Sequence, residues 1–174
     1  GEAGRLGRLV DNMLDLSHIR AGRLQLETEP FRLGPLVRRV LALVDPALAG
    51  KAVAVRLPPD LPPVEGDATR VEQVLRNLLE NAAKYVPDGG RVEIGARAEG
   101  PTVVTTVADD GPGIPPDHRD RVFERFHRVE AGGQAAPGAG LGLYLARHLI
   151  EAHGGWLWVE PGSGRGSAFS FSLP

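Results

Sequence analysis

The sequence predicts an α+β fold, a mixed and mostly antiparallel sheet with helices on one face, preceded by one amphipathic helix. Three observations carry this. Strand patterns come in adjacent pairs, Arg91–Ala98 with Thr102–Ala108 and Trp156–Glu160 with Ser167–Leu173. Helical patterns lie between the pairs, without the strict strand–helix alternation of a doubly wound sheet. Apolar residues make up 42% of 174 positions, enough core for one good-sized domain or a domain with an appendage.

Taken in order, Arg5–Gln25 is helical, with Leu6, Leu9, Val10, Met13, Leu14, Leu16 and Ile19 on a broad apolar face. Such a face needs a partner, and the expected one is another copy or an upstream helix. Ala21-Gly22 is the expected stop. Leu33–Leu48 repeats the helical pattern, Ala52–Leu57 reads as a strand, and Val64–Gly66 as a short one. Asp67 is a good N-cap, and Thr69 with Glu72 fits a capping box. The helix that follows ends at Pro87-Asp88-Gly89-Gly90. Arg119–Phe126 reads as a short helix, Val129–Gly140 as a loop, and Leu141–His153 as a helix stopped by Gly154-Gly155. In the last strand Phe169, Phe171 and Leu173 alternate with serines, the mark of a half-buried strand. Trp156 and Trp158 are assigned to sheet packing.

Composition excludes several function classes. A formal charge of −2 provides no basic field for nucleic acid. Without Cys there are no disulfides or thiolate metal sites. No window is apolar and charge-free enough to span a membrane, and no signal peptide is apparent. The chain opens Gly-Glu-Ala-Gly without Met, so a piece of a longer protein is expected.

The stretch Arg76–Val86 (RNLLENAAKYV) holds the chemistry. On a helical wheel Gln73, Asn77, Asn81 and Lys84 share an arc of roughly 80°. The apolar residues from Val71 to Val86 fill a separate arc of roughly 140°. Asn is a poor helix former, so two of them four apart in mid-helix need a reason. A polar surface face is one account. A ligand face is the other, with carboxamide oxygens for a hard cation and Lys84 for phosphate.

Asp109–Ile114 (DDGPGI) follows a strand, and its glycines allow close approach to a flat ligand while Asp109 accepts from an amino group. A plain turn explains the same residues. Gly138–Leu143 (GAGLGL) leads into a helix, suiting either amide contacts to phosphate or a flexible linker. Phe123–Arg128 (FERFHR) is either a lid anchor, with Arg125 or Arg128 reaching phosphate, or a surface helix end. The five His residues show no metal-ligand spacing and no Ser–His–Asp arrangement. His18 reads as a surface residue, and His153 suits a helix C-terminus.

Taken together, the order NLLENAAKY, DDGPGI, FERF, GAGLGL, HGG, GRGSAFSFSLP resembles the catalytic core of sensor histidine kinases over residues 31–174. The opening RLVDNMLDLSHIRAGRLQL is similar to the second helix of that family's dimerisation hairpin. The resemblance implies a two-layer α/β sandwich of the Bergerat type over 29–174, a partial hairpin over 1–28, and a lid at about 129–139. It implies ATP and Mg²⁺ as ligands, with Asn81 on the metal and Asn77 assisting. Lys84 would meet phosphate, and Tyr85 would pack near ribose or base. Asp109 would accept from the adenine amino group, with Gly111, Gly113 and Ile114 lining the base pocket. Arg128 would sit near the γ-phosphate, and Gly138, Gly140, Leu141, Gly142 and Leu143 would border the phosphates. The catalytic set would be Asn77, Lys84 and Arg128. His127 stands where many relatives carry an aromatic residue.

The family's phosphoacceptor, a His followed by Glu or Asp, is not in this sequence; His18 is followed by Ile19. The resemblance therefore implies an acceptor helix outside this chain, a response-regulator receiver domain, a homodimer and a cytoplasmic placement. Related ATPases of the gyrase, chaperone and mismatch-repair kind put a Glu one turn before the metal Asn as general base. Here Asn77 holds that position. Transfer to a positioned acceptor is expected over hydrolysis, with a non-catalytic nucleotide-binding scaffold as the rival.

Overall fold

The computed structural model describes all residues but 128–129, 132–133, 136–139 and 163. Helix α1 (Glu2–Arg20) precedes a two-layer sandwich. Its sheet contains β2 (Ala52–Arg56), β4 (Arg91–Glu99), β5 (Thr102–Asp109), β8 (Leu157–Pro161) and β9 (Ser167–Leu173). The spatial order is β2-β4-β5-β9-β8; β2 runs parallel to β4 and every other pair is antiparallel. Helices α2 (Leu33–Val44), α3 (Ala68–Tyr85) and α4 (Gly142–Ala152) pack side by side over one face. The expected mixed sheet with helices on one face is what forms.

The core lies between the layers. Val71, Val74, Leu75, Leu78, Leu79 and Ala82 of α3 are each at most 2% exposed. They meet Val92, Ile94, Val107, Phe169 and Phe171 of the sheet in one cluster. Each such aliphatic or aromatic side chain contributes about 1.5–3 kcal/mol through burial. This stripe sets the rotation of α3, and with it the direction of every polar residue on its other side.

Several local expectations change. Helix α1 ends at Arg20 rather than Gln25, where Ala21-Gly22 turns the chain. A strand not anticipated, β1 (Glu29–Phe31), pairs antiparallel with β3 (Val64–Gly66). Three residues of unremarkable composition give too little periodicity to announce a strand. Helix α2 tightens into a 3₁₀ turn at Asp45–Leu48, where Pro46 removes a donor. The short helix expected over Arg119–Phe126 is instead two 3₁₀ turns, Pro116–His118 and Arg121–Phe123. At the start of α3 the capping box does not form. The Asp67 carboxylate accepts from the N–H groups of Thr69 and Arg70, while Glu72 pairs with Arg39 of α2. Within the expected loop, β6 (Glu130–Ala131) and β7 (Gln134–Ala135) pair as a small hairpin. Trp158 is partly covered by the sheet, but Trp156 is 64% exposed and is not a packing residue.

His153 does more than end α4. It is buried, and its Nε2 accepts the Asp67 N–H at 3.0 Å. That nitrogen is therefore unprotonated, so Nδ1–H donates to the Leu149 carbonyl at 2.6 Å. One imidazole ties the end of α4 to the N-cap of α3. His153→Ala leaves a buried donor and acceptor unpartnered and opens a cavity, so it lowers unfolding free energy by about 2–4 kcal/mol. Urea denaturation measures this, and a loss below about 0.5 kcal/mol, the usual range for surface changes, rejects the tie.

Candidate functional site

Between the exit of α3, the end of β5 and the start of α4 lies a cleft of about 900 Å³. It brings together Asn77, Asn81, Lys84 and Tyr85 of α3, Asp109 of β5, Gly113 and Ile114 beyond it, and Gly140, Leu141, Gly142 and Leu143 at α4. Gly111 is buried directly behind this wall. Arg128 and Gly138 lie outside the described residues, as does most of the expected lid at 129–139.

The two carboxamides of α3 are placed differently. Asn77 Nδ2 donates to the Gly142 carbonyl at 3.2 Å and so fastens α3 to the start of α4. Asn81, one turn later, lines the cleft and makes no hydrogen bond to the protein among the described residues. A half-buried amide with an unengaged oxygen suits a hard cation, whose ligands are oxygens. Gln73, on the same polar arc, is drawn away and donates to Asp15 of α1 at 2.9 Å. Glu80 also lines the cleft, and its carboxylate is engaged by Arg76 at 3.1 Å.

Asp109 closes the opposite end. Its Oδ1 accepts the Gly111 N–H at 2.9 Å, and its Oδ2 accepts the Ser167 hydroxyl at 3.1 Å. Burial pushes the carboxyl pKa up, against the lowering effect of these two donors. A partly desolvated carboxylate with spare lone pairs is an acceptor for an exocyclic amino group. A Cβ at Gly111 would stand 3.2 Å from the Tyr85 carbonyl oxygen and 3.0 Å from Asp109 Oδ1, so a larger residue there presses on both. Ile114, Val122 and Phe169 add apolar wall, which suits a flat ring.

The FERF stretch divides its aromatics. Phe123 is buried edge-on against Phe169, with the Arg147 guanidinium 4.9 Å from its ring centre. Phe126 is 57% exposed at φ 62° and is not a buried anchor. Its N–H donates to the Gly140 carbonyl at 3.0 Å, joining the two ends of the lid segment. Gly140 has φ 70° and leaves only 2.8 Å between a hypothetical Cβ and the His127 carbonyl, so no side chain fits. His127 lines the cleft at the lid's base; desolvation first, then Arg121 and His118, push its pKa down despite Glu124. Arg125 lies over the Phe126 ring rather than in the cleft.

Residue patterns did not announce Ser167, Phe169, Val122 or the α1 residues that line the cleft. Ser167 faces Asp109 through the β5–β9 register, a pairing 58 residues apart in sequence.

A family model described as histidine kinase-, DNA gyrase B-, and HSP90-like ATPase matches residues 66–174. The chain belongs to that family. The sensor protein DivL of Caulobacter vibrioides is 38% identical over 174 residues, covering 99% of this chain and 22% of DivL. Full-length ShkA, solved in complex with AMPPNP, matches at TM-score 0.85 and 34% identity, over 99% of this chain and 36% of ShkA. ThkA, solved with the response regulator protein TrrA, matches at TM-score 0.76 and 28% identity, over 99% of this chain and 48% of that one. The chain spans less than half the length of the curated relatives it matches. The chain is an ATP-binding catalytic domain of the histidine-kinase type.

No helix among the described residues is long and apolar enough to cross a membrane.

The raised Asp109 pKa has a measurable consequence. The folded protein holds this proton more tightly than the unfolded chain, whose carboxyl titrates near 3.8. The contribution to stability is therefore complete below pH 3.8 and is lost as pH rises through the folded value. Asp109→Asn, which keeps an oxygen for Gly111, should melt higher than wild type at pH 7. That advantage should shrink as pH falls toward 4 in thermal scans from pH 8 to 4.

Proposed function

We propose that this chain is the catalytic portion of a sensor histidine kinase. It binds Mg-ATP and presents the γ-phosphoryl group to a His on a dimerisation helix outside this chain, for onward transfer to an Asp of a response-regulator receiver domain. The observation that carries this is the contrast between the two amides of α3. Asn77 is tied to Gly142 and has no carboxylate with which to activate water, while Asn81 lines the cleft with no hydrogen-bond partner among the described residues. The domain is built to orient and neutralise rather than to hydrolyse.

Asn81 would hold Mg²⁺, with Asn77 assisting from the same face of α3. Bound there, Mg²⁺ supplies charge neutralisation to the phosphates. Lys84 would meet phosphate, and Tyr85 would pack near the ribose or base. Asp109 accepts from the adenine amino group, with Gly111, Gly113 and Ile114 around the ring. Gly140, Leu141, Gly142 and Leu143 would border the phosphates. In the transfer, the imidazole lone pair of the acceptor His forms a bond to the γ-phosphorus as the bond to the ADP oxygen breaks.

Residues 1–28 form the second helix of a dimerisation hairpin, and 29–174 form the catalytic domain. Leu6, Val10, Met13 and Leu14 of α1 are 48–63% exposed, an apolar face of the kind that pairs with helices in a homodimeric bundle.

The direct test mixes this chain with a hairpin bearing the acceptor His, plus Mg-ATP. Acid-labile, base-stable phosphate on the hairpin is expected; ATP binding without transfer means a scaffold instead. Asn81→Ala abolishes measurable Mg-ATP binding, and wild-type affinity in that variant sinks the metal assignment. Asp109→Ala loses the preference for ATP over GTP in competition binding; an unchanged preference counts against the adenine contact.

A further inference from the structure

Helix α1 borders the ATP cleft, and the roles assigned above make no use of it. Arg5, Arg8, Leu9 and Asn12 line the cleft. Their spacing of three and four places them on one stripe of the helix. The stripe continues as Asp15, Leu16 and Ile19, and there it is docked on the domain. Asp15 Oδ1 accepts from Arg70 Nη1 at 2.9 Å, and Oδ2 accepts from Gln73 Nε2 at 2.9 Å. Arg70 also donates to Gln73 Oε1 at 3.2 Å, so the three side chains form a closed set. The Asp15 and Arg70 side chains are 15% and 24% exposed, and Leu16 beside them is buried. A carboxylate bonded through each oxygen is fixed in direction as well as in place.

The two helices run in opposite directions. Asp15 meets the beginning of α3, whereas the first half of α1 shares the cleft with Asn77, Asn81 and Lys84. At about 1.5 Å per residue, Arg8 lies about 10 Å along α1 from Asp15, and Asn81 about 12 Å along α3 from Gln73. Arg5 and Lys84 follow at about 15 and about 16 Å. Arg5 and Arg8 thus line the cleft at the level of Asn81 and Lys84, the end assigned to the phosphates. Neither makes an ion pair or side-chain hydrogen bond with the protein among the described residues. Their planar forks match phosphate oxygens.

We infer that Arg5 and Arg8 are phosphate-binding residues of the ATP site, and that Asp15 positions them by latching α1 to Arg70 and Gln73. The inference rests on the reading of the cleft as a Mg-ATP site. It makes ATP affinity a function of how α1 sits on the domain, because a swing of the helix withdraws two phosphate ligands at once.

Calorimetric titration of the full 174-residue chain with Mg-ATP, and separately with adenosine, tests this. Arg5→Ala/Arg8→Ala should weaken Mg-ATP binding about tenfold while adenosine affinity stays within about twofold. Asp15→Arg, which changes no residue lining the cleft, should reproduce the ATP-specific loss. Adding Arg70→Asp to Asp15→Arg should restore most of it through the reversed pair. Wild-type Mg-ATP affinity in the double-alanine variant overturns the inference, as does an equal loss for adenosine. Failure of the charge reversal to rescue overturns the latch. If wild type itself fails to bind Mg-ATP, the nucleotide reading falls, and this inference with it.

Discussion

The site depends on the burial of one stripe of α3. Six apolar residues, from Val71 to Ala82, are sealed in the core, and rotating the helix would expose the five Val and Leu side chains at about 1.5–3 kcal/mol each. That cost locks the opposite face. Asn77, Asn81 and Lys84 point into the cleft because Leu75, Leu78 and Leu79 cannot point anywhere else. The clamps at the ends refine the position. Asp67 caps the first turn, and His153 holds that cap against the end of α4. The Asn77–Gly142 bond then sets the start of α4 beside the middle of α3.

A second constraint comes from strand register. Asp109 stands at the end of β5, opposite Val92 on one side and Ser167 on the other. Its two oxygens are held by the Gly111 N–H and the Ser167 hydroxyl, so the carboxylate is fixed before any ligand arrives. Burial makes its charge costly, and the neighbouring donors make that cost tolerable. The tension is of the kind found at recognition sites, where a polar group is stationed for a ligand rather than for the fold.

Helix α1 joins the site by a different logic. Its inner stripe rests on the sandwich through Asp15 and Leu16, while Val10, Met13 and Leu14 face outward. One helix therefore presents two faces: an outer one left exposed, and an inner one that lines the cleft. A movement imposed on the outer face is transmitted to the inner one without any further linkage, because a helix of 19 residues moves as a rod.

Much was legible in the residues alone. The paired strand patterns, the period of α3 and the glycine clusters sufficed for the α+β class and for most of the cleft wall. Asn77, Asn81, Lys84, Tyr85 and Asp109, which the motifs single out, line one cleft. Such features are local: a period of 3.6 or 2, a cap, a glycine run. What the sequence left unsaid was always a matter of distant pairing. The β1–β3 ladder, the Ser167 hydroxyl on Asp109, the His153–Asp67 bond and the bonds from Asp15 to Arg70 and Gln73 join residues 33 to 86 positions apart. The helix expected at Arg119–Phe126 failed for the same reason, since Phe123 seats against Phe169 across the fold and a continuous helix is not required to bury it. Local chemistry determined which groups the protein carries; only the packing of sheet against helix decided which of them meet, because burial is scored over the whole surface and not along the chain.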